Sequence, residues 1–123
     1  MTVKPRPDSR TVVDQARARG AHAHVLDTSE HIDKDSTLDA IATVLSFPEY
    51  FGRNLDALYD CLTDLSWLPS GEHVLIWRFS DLLKQADPKA YLAVHSVLSD
   101  AQRAMAPRGE RANGRTLTVV LAD

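Results

Sequence analysis

Asp56, Asp60 and Asp64 recur at intervals of four residues, close to one helical turn, so a helix would line their carboxylates along one side. Carboxylates one turn apart can share a proton in acid–base catalysis, hold a divalent cation, or present negative charge to a cationic partner. Acid–base work needs environments that push two pKa values apart, usually one buried and one wet. Three aspartates on one exposed face share a single wet environment. A magnesium site built on the same pair would lack a glycine-rich phosphate loop or any other phosphate-handling motif. Presentation of charge is the chemistry that remains. The segment 47–65, FPEYFGRNLDALYDCLTDL, sets Glu49 and the three aspartates against the single cation Arg53, a formal charge of −3 that equals the net charge of the whole chain.

The elements that must position these groups follow from the same segment. Gly52 permits a tight turn, Asn54 is a good N-cap, and a helix is expected over about 55–64. Leu55, Leu58, Leu62 and Leu65 fall in a narrow arc opposite the aspartates, giving a core face and an acidic ridge. The ridge is locally unfavourable: like charges at i, i+4 repel by roughly 0.2–0.5 kcal/mol per pair, and only Asp56, near the N-terminus, gains from the helix dipole. A sequence selected for solubility alone would alternate Glu with Lys. Tyr59 lies just off the acidic stripe and Tyr50 immediately before the turn. Tyrosines beside fixed carboxylates supply contact area at little entropic cost, while the carboxylates select a cationic partner. Trp67, in the loop that follows, is placed to rim such a surface; Phe51 is read as packing under the turn.

The run Pro48-Glu49-Tyr50-Phe51-Gly52, followed by Asn54-Leu55-Asp56-Ala57-Leu58-Tyr59-Asp60-Cys61-Leu62-Thr63, resembles the signature of the barstar family, small intracellular inhibitors of secreted guanyl-specific ribonucleases. The order of downstream elements also matches, so the similarity covers roughly residues 21–122. The resemblance implies that Asp60 plugs the phosphate site of a ribonuclease, with Asp56 and Tyr50 beside it and Tyr59 where an aromatic is expected. Asp100 matches an acidic position on the last helix. The partner-binding set is therefore Tyr50, Asn54, Asp56, Tyr59, Asp60, Asp64, Trp67 and Asp100. Three positions depart from the family pattern: Arg53 replaces an acidic residue, Tyr59 a tryptophan, and Leu65 stands where the best-known member has tryptophan, with Trp67 nearby. The second cysteine which that member carries before its last strand is absent.

A chain of 123 residues is expected to form one domain with a sizeable core, and 44% hydrophobic with 25% charged residues is ordinary for a soluble protein. No apolar run is long enough to span a membrane and MTVKPRPDSR lacks the apolar stretch of a signal peptide, so a cytoplasmic location is expected. Cys61 is the only cysteine, which rules out an internal disulfide and a cysteine zinc cluster; it reads as a small hydrophobe. Residues 1–20 read as an extension: a disordered lead over residues 1–7, then a short helix from Asp8 or Ser9 to about Arg19, capped by Ser9 and stopped by Gly20, whose Arg10, Arg17 and Arg19 can reach the sheet edge or the acidic ridge.

Residues 21–123 read as the barstar-like domain. AHAHVLD (21–27) fits a first strand, with His22 and His24 on one face; lacking a third clustered ligand, they read as surface or core-edge histidines rather than a metal site. Ser36-x-x-Asp39 reads as a capping-box variant opening a helix over about 37–45, which Pro48 prevents from continuing. HVLIWRF (73–79) is near-continuously apolar, as in a parallel strand buried on both faces. Ser80 is expected to cap a short helix, and Asp87-Pro88 to open a longer one to about Met105, with Tyr91, Val94, Val97, Leu98, Ala101 and Met105 buried and Asp100 exposed. LTVVLA (117–122) is the third strand. The expected fold class is α/β: a three-stranded parallel sheet packed by about four helices, with right-handed crossovers and an N-terminal helical extension.

The function expected is that of a protein inhibitor without catalytic residues, metal or cofactor, a monomer when free, whose partner is a cationic protein, foremost a ribonuclease. Direct nucleic-acid binding is disfavoured because the excess negative charge sits on the most distinctive surface; Arg108, Arg111 and Arg115 form the only basic loop, and no aromatics accompany them for stacking. The alternatives are an interaction or regulatory module with a cationic partner that is not a nuclease, and immunity against a larger toxin carrying a nuclease domain.

Overall fold

The computed structural model describes residues 6–30, 33–49, 51–106 and 114–122. In chain order the elements are α1 (Ser9–Ala18), β1 (His22–Asp27), α2 (Lys34–Val44), α3 (Leu55–Leu62), β2 (Gly71–Arg78), α4 (Ser80–Ala86), α5 (Pro88–Ala104) and β3 (Arg115–Ala122). The strands form one parallel sheet in the order β1-β2-β3, with His22 opposite His73 at one seam and Gly71 opposite Arg115 at the other. This is the α/β class expected, with five helices among the described residues.

The apolar run of β2 is buried on both faces because helices cover both. On one face Leu75 and Trp77, with Leu26 of β1 and Leu117 of β3, meet Leu38 and Ile41 of α2, Leu58 and Leu62 of α3, and Tyr91, Val94 and Leu98 of α5. The indole N–H of Trp77 donates to Thr28 Oγ1 at 2.9 Å, so the largest core side chain buries no unsatisfied donor. On the other face Val74, Ile76 and Ala122 pack against Val12 and Ala16 of α1. The helix before the first strand is thus the cover of the second sheet face. It stops where Gly20 adopts φ +82°, which lets the amides of Gly20 and Ala21 return to the carbonyls of Arg17 and Ala16. Arg19 ends in a two-pronged pair with Glu72 of β2 at 2.9 and 3.0 Å, so it turns to the sheet and not to the acidic segment.

Several helix ends differ from expectation. The residue before α1 is Asp8, and Ser9 lies inside the helix, buried. Asp33 caps α2 by accepting from the Ser36 amide at 2.8 Å, so the helix begins earlier than the Ser36-x-x-Asp39 reading implied and Asp39 is left for other work. Phe79, in a left-handed conformation, precedes α4, and Ser80 is buried within it. Asp87 does cap α5, accepting from the Ala90 amide at 3.1 Å with Pro88 in the first turn. No helix among the described residues is long and apolar enough to cross a membrane.

Candidate partner-binding surface

Asn54 holds the start of α3 by accepting from the Ala57 amide at 2.8 Å, while its Nδ2 donates to Gly52 O. Leu58, Cys61 and Leu62 are buried beneath the helix, and Asp56, Tyr59 and Asp60 are exposed on its outer side. Burial, with a smaller effect of Asp60 and Asp64, pushes the Cys61 thiol up, which suits a packing role and not a nucleophile.

The helix stops at Leu62, two residues short of the expected end. The Thr63 hydroxyl donates back to Tyr59 O at 2.8 Å and Leu65 takes φ +55°, closing the last turn on the Cys61 carbonyl. Asp64 therefore leaves the helical stripe: it is half-buried in the turn and accepts from Ser66 Oγ at 3.0 Å. The ridge proper is Asp56 and Asp60, neither of which forms an ion pair among the described residues.

The only cation of the segment goes elsewhere. Arg53 sits at φ +53° and grips Asp39 of α2 with Nε at 2.7 Å and Nη2 at 2.9 Å. This fork ties the turn ahead of α3 to α2 and takes the positive charge off the ridge. The pairing was not legible from sequence, because Asp39 lies fourteen positions away and the spacing assigned it to a cap.

Trp67 is half-buried; its indole N–H donates to Leu45 O at 2.9 Å and its ring stands edge-on to Phe47 at 5.8 Å. Its polar atom is thus committed inward. Phe51 packs under the turn as expected, edge-on to Phe47 at 5.0 Å. Asp100 is exposed on α5 but paired with Arg103 one turn on. Tyr50, Arg108 and Arg111 lie outside the described residues, while Arg115 begins β3, where its guanidinium donates to Leu68 O at 2.9 Å.

His22 and His24 share a face of β1, and the register adds His73 of β2, which the sequence did not single out. His73 stacks on both, with ring centroids 4.8 and 5.2 Å away, and its Nδ1 lies 3.0 Å from His24 Nε2. A metal needs free lone pairs pointed at a common centre. Here His73 Nε2 faces Pro69 O at 2.7 Å and Nδ1 faces His24, so both its nitrogens are occupied. No group of three or more His, Cys, Asp or Glu among the described residues is placed to hold a metal ion.

Burial, then the neighbouring His73 and His22, pushes His24 down to about 4, and burial likewise lowers His73. The unfolded chain binds a proton on each near the ordinary 6.5, so the folded state holds fewer protons below that pH. The stabilisation is complete above about pH 6.5 and is lost as pH falls toward 4. Allowing for the partial exposure of His24, unfolding stability should drop by about 1 kcal/mol between pH 7 and pH 5. Urea midpoints at the two values check this, and equal midpoints would contradict it.

Comparison with known proteins adds two findings. The family described as Barstar (barnase inhibitor) matches residues 21–122. A protein of Bacillus subtilis (strain 168) named "Putative ribonuclease inhibitor YrdF" is 58% identical over 31 residues, which cover 25% of this chain and 34% of that protein.

Proposed function

The chain belongs to the barstar family, and from that premise we propose that it is a protein inhibitor that occludes the cationic active site of a secreted guanyl-specific, barnase-like ribonuclease or nuclease toxin. The acidic side of α3 stands in for RNA phosphate. One observation carries this reading: Asp56 and Asp60 are exposed and form no ion pair among the described residues, on a helix whose other side is locked in the core. A ribonuclease gathers arginines, lysines and a catalytic histidine around its substrate, and a rigid pair of carboxylates can steer into that cleft and block it.

In this reading Asp60 enters the phosphate site, flanked by Asp56, Asn54 and Tyr50, with Tyr59 as the aromatic contact. Asp64, Trp67 and Asp100 complete the rim; Asp100 must exchange Arg103 for a partner cation and so contributes less than Asp60. Residues 21–123 form the inhibitory unit and residues 1–20 an addition to it. The protein acts in the cytoplasm, as a monomer until it meets its target.

The test is inhibition of guanyl-specific ribonucleases, with the association rate followed as salt is raised. Exposed charges are screened beyond about 8–10 Å at physiological ionic strength, so the rate should fall roughly tenfold or more between low and high salt. Failure to inhibit any such enzyme, together with capture of a basic protein that is not a nuclease, would replace this reading with that of an interaction module.

A further inference from the structure

We infer that the free edge of β1 is a docking site for an extended acidic segment of a partner protein, added to the three-stranded sheet as one more strand. The two outer edges of the sheet differ. At β3 the side chain of Gln102 stands in for a neighbouring strand, its Oε1 accepting from the Val119 amide at 2.6 Å. β1 pairs on one side only, with β2. Its sequence, HAHVLD, has no lysine or proline, its register with β2 runs without a bulge, and Val25 near its middle is 40% exposed. Those are the devices that usually blunt an edge, whose open amides and carbonyls are otherwise a template for another chain.

A groove lies along each face of this edge. Leu26 points into the core beneath α2, α3 and α5, while Ala23, and Val25 by the alternation of the strand, face α1. The groove on the α2 side has a volume of about 340 Å³ and is walled by Ala40, Thr43 and Val44; its carboxylates, Asp27 and Asp39, are paired with Arg78 and Arg53. The groove on the α1 side, about 590 Å³, holds Arg10 and Arg17 of α1 and Arg78 of β2. An added strand sends alternate side chains into the two, so the segment that fits alternates apolar with acidic residues.

The arginines set the charge of the occupant. Neither Arg10 nor Arg17 forms an ion pair among the described residues. Arg19 and Arg53 each fill the Nε–Nη2 edge of the guanidinium with a two-pronged carboxylate. In Arg78 that edge is unfilled: Nη1 lies 3.7 Å from Asp27, and Nε is buried with no hydrogen-bond partner. Asp8 and Asp14 also line this groove, so a compact polyanion meets two anions as well as three cations. Arg10 and Arg17 are separated by about 10 Å along the helix, with Asp14 between them. Same-face carboxylates of an extended chain are roughly 7 Å apart, within reach of both flexible guanidinia, and can pass Asp14. This surface is separate from the acidic side of α3, and its occupation does not rest on the inhibitor reading.

The probe is a blocked hexapeptide of alternating valine and glutamate, titrated at low salt into the isotope-labelled full-length chain. Amide shifts should saturate in 10–17 and 22–27 and be absent at Asp56 and Asp60. Replacing the exposed Arg10 and Arg17 together with alanine should weaken binding roughly tenfold or more, the worth of a charge-assisted hydrogen bond. Of two further peptides, N-methylated at every valine or at every glutamate, one turns its methyls toward β1 and should not bind, while the other should. The proposal would be overturned by absence of saturable shifts, by shifts centred on α3, by equal binding of both methylated peptides or of a lysine–valine peptide, or by inorganic phosphate alone shifting the same amides. A dimer of the free chain that shifts these amides, detected by sedimentation, would give the edge to a second copy and overturn it too.

Discussion

Replacing Asp60 with alanine is expected to abolish useful inhibition of the target ribonuclease while leaving the fold intact or slightly firmer. Once buried against a partner's cations, a carboxylate that is removed leaves those charges unpaired, at a cost of about 2–5 kcal/mol, a range drawn in part from the barnase–barstar pair itself. That corresponds to roughly thirty- to several-thousand-fold in affinity. In the free protein the same side chain forms no ion pair among the described residues, sits one turn from Asp56, and contacts solvent. Its loss removes about 0.2–0.5 kcal/mol of like-charge repulsion and installs a better helix former. Titration of ribonuclease activity, with a urea melt on the same sample, separates the two effects. A variant that inhibits at full strength, or one that is unfolded, would refute the assignment. Asp56→Ala should behave differently in the melt, since Asp56 lies in the first turn and its charge favours the helix dipole.

Leu58→Ala should show the converse pattern. Leu58 is fully buried in the core beneath α3, and truncation of such a leucine costs about 2.7–5 kcal/mol in lost transfer energy and cavity formation. Against a total stability of about 5–15 kcal/mol this is a large fraction, and the melting temperature should fall by roughly 10–20 °C. The exposed carboxylates are untouched, so the fraction that remains folded at low temperature should inhibit normally. Thermal melts and low-temperature inhibition check both halves. A shift of only a degree or two would mean that α3 is not anchored through this residue.

Element types were legible because they depend on local periodicity. The leucine arc of α3, the apolar run of β2 and the Asp87-Pro88 start of α5 each carry their physical reason within a few residues. Boundaries were less legible where two polar residues compete. Asp33 and Ser36 are both capping types, and the choice of Asp33 moved the start of α2 and released Asp39 to Arg53. At the other end of α3, back-bonding by Thr63 and the left-handed Leu65 ended the helix before Asp64, a competition between hydroxyl and backbone that spacing does not reveal. Trp67 was placed on the rim by its position in a loop, yet its N–H lies on Leu45 O, because a half-buried indole must satisfy its donor.

The amino-acid sequence by itself determined the sign and concentration of charge on the α3 segment, the leucines that anchor it and the family to which the chain belongs, since composition, spacing and motif are carried in the order of residues. Which carboxylates stay available was decided only by the tertiary structure. Arg53 pairs with Asp39 and Arg19 with Glu72 because ion pairs form across a few ångströms of space between elements remote in sequence. The same holds for His73, which joins His22 and His24 only when β2 pairs with β1 in this register.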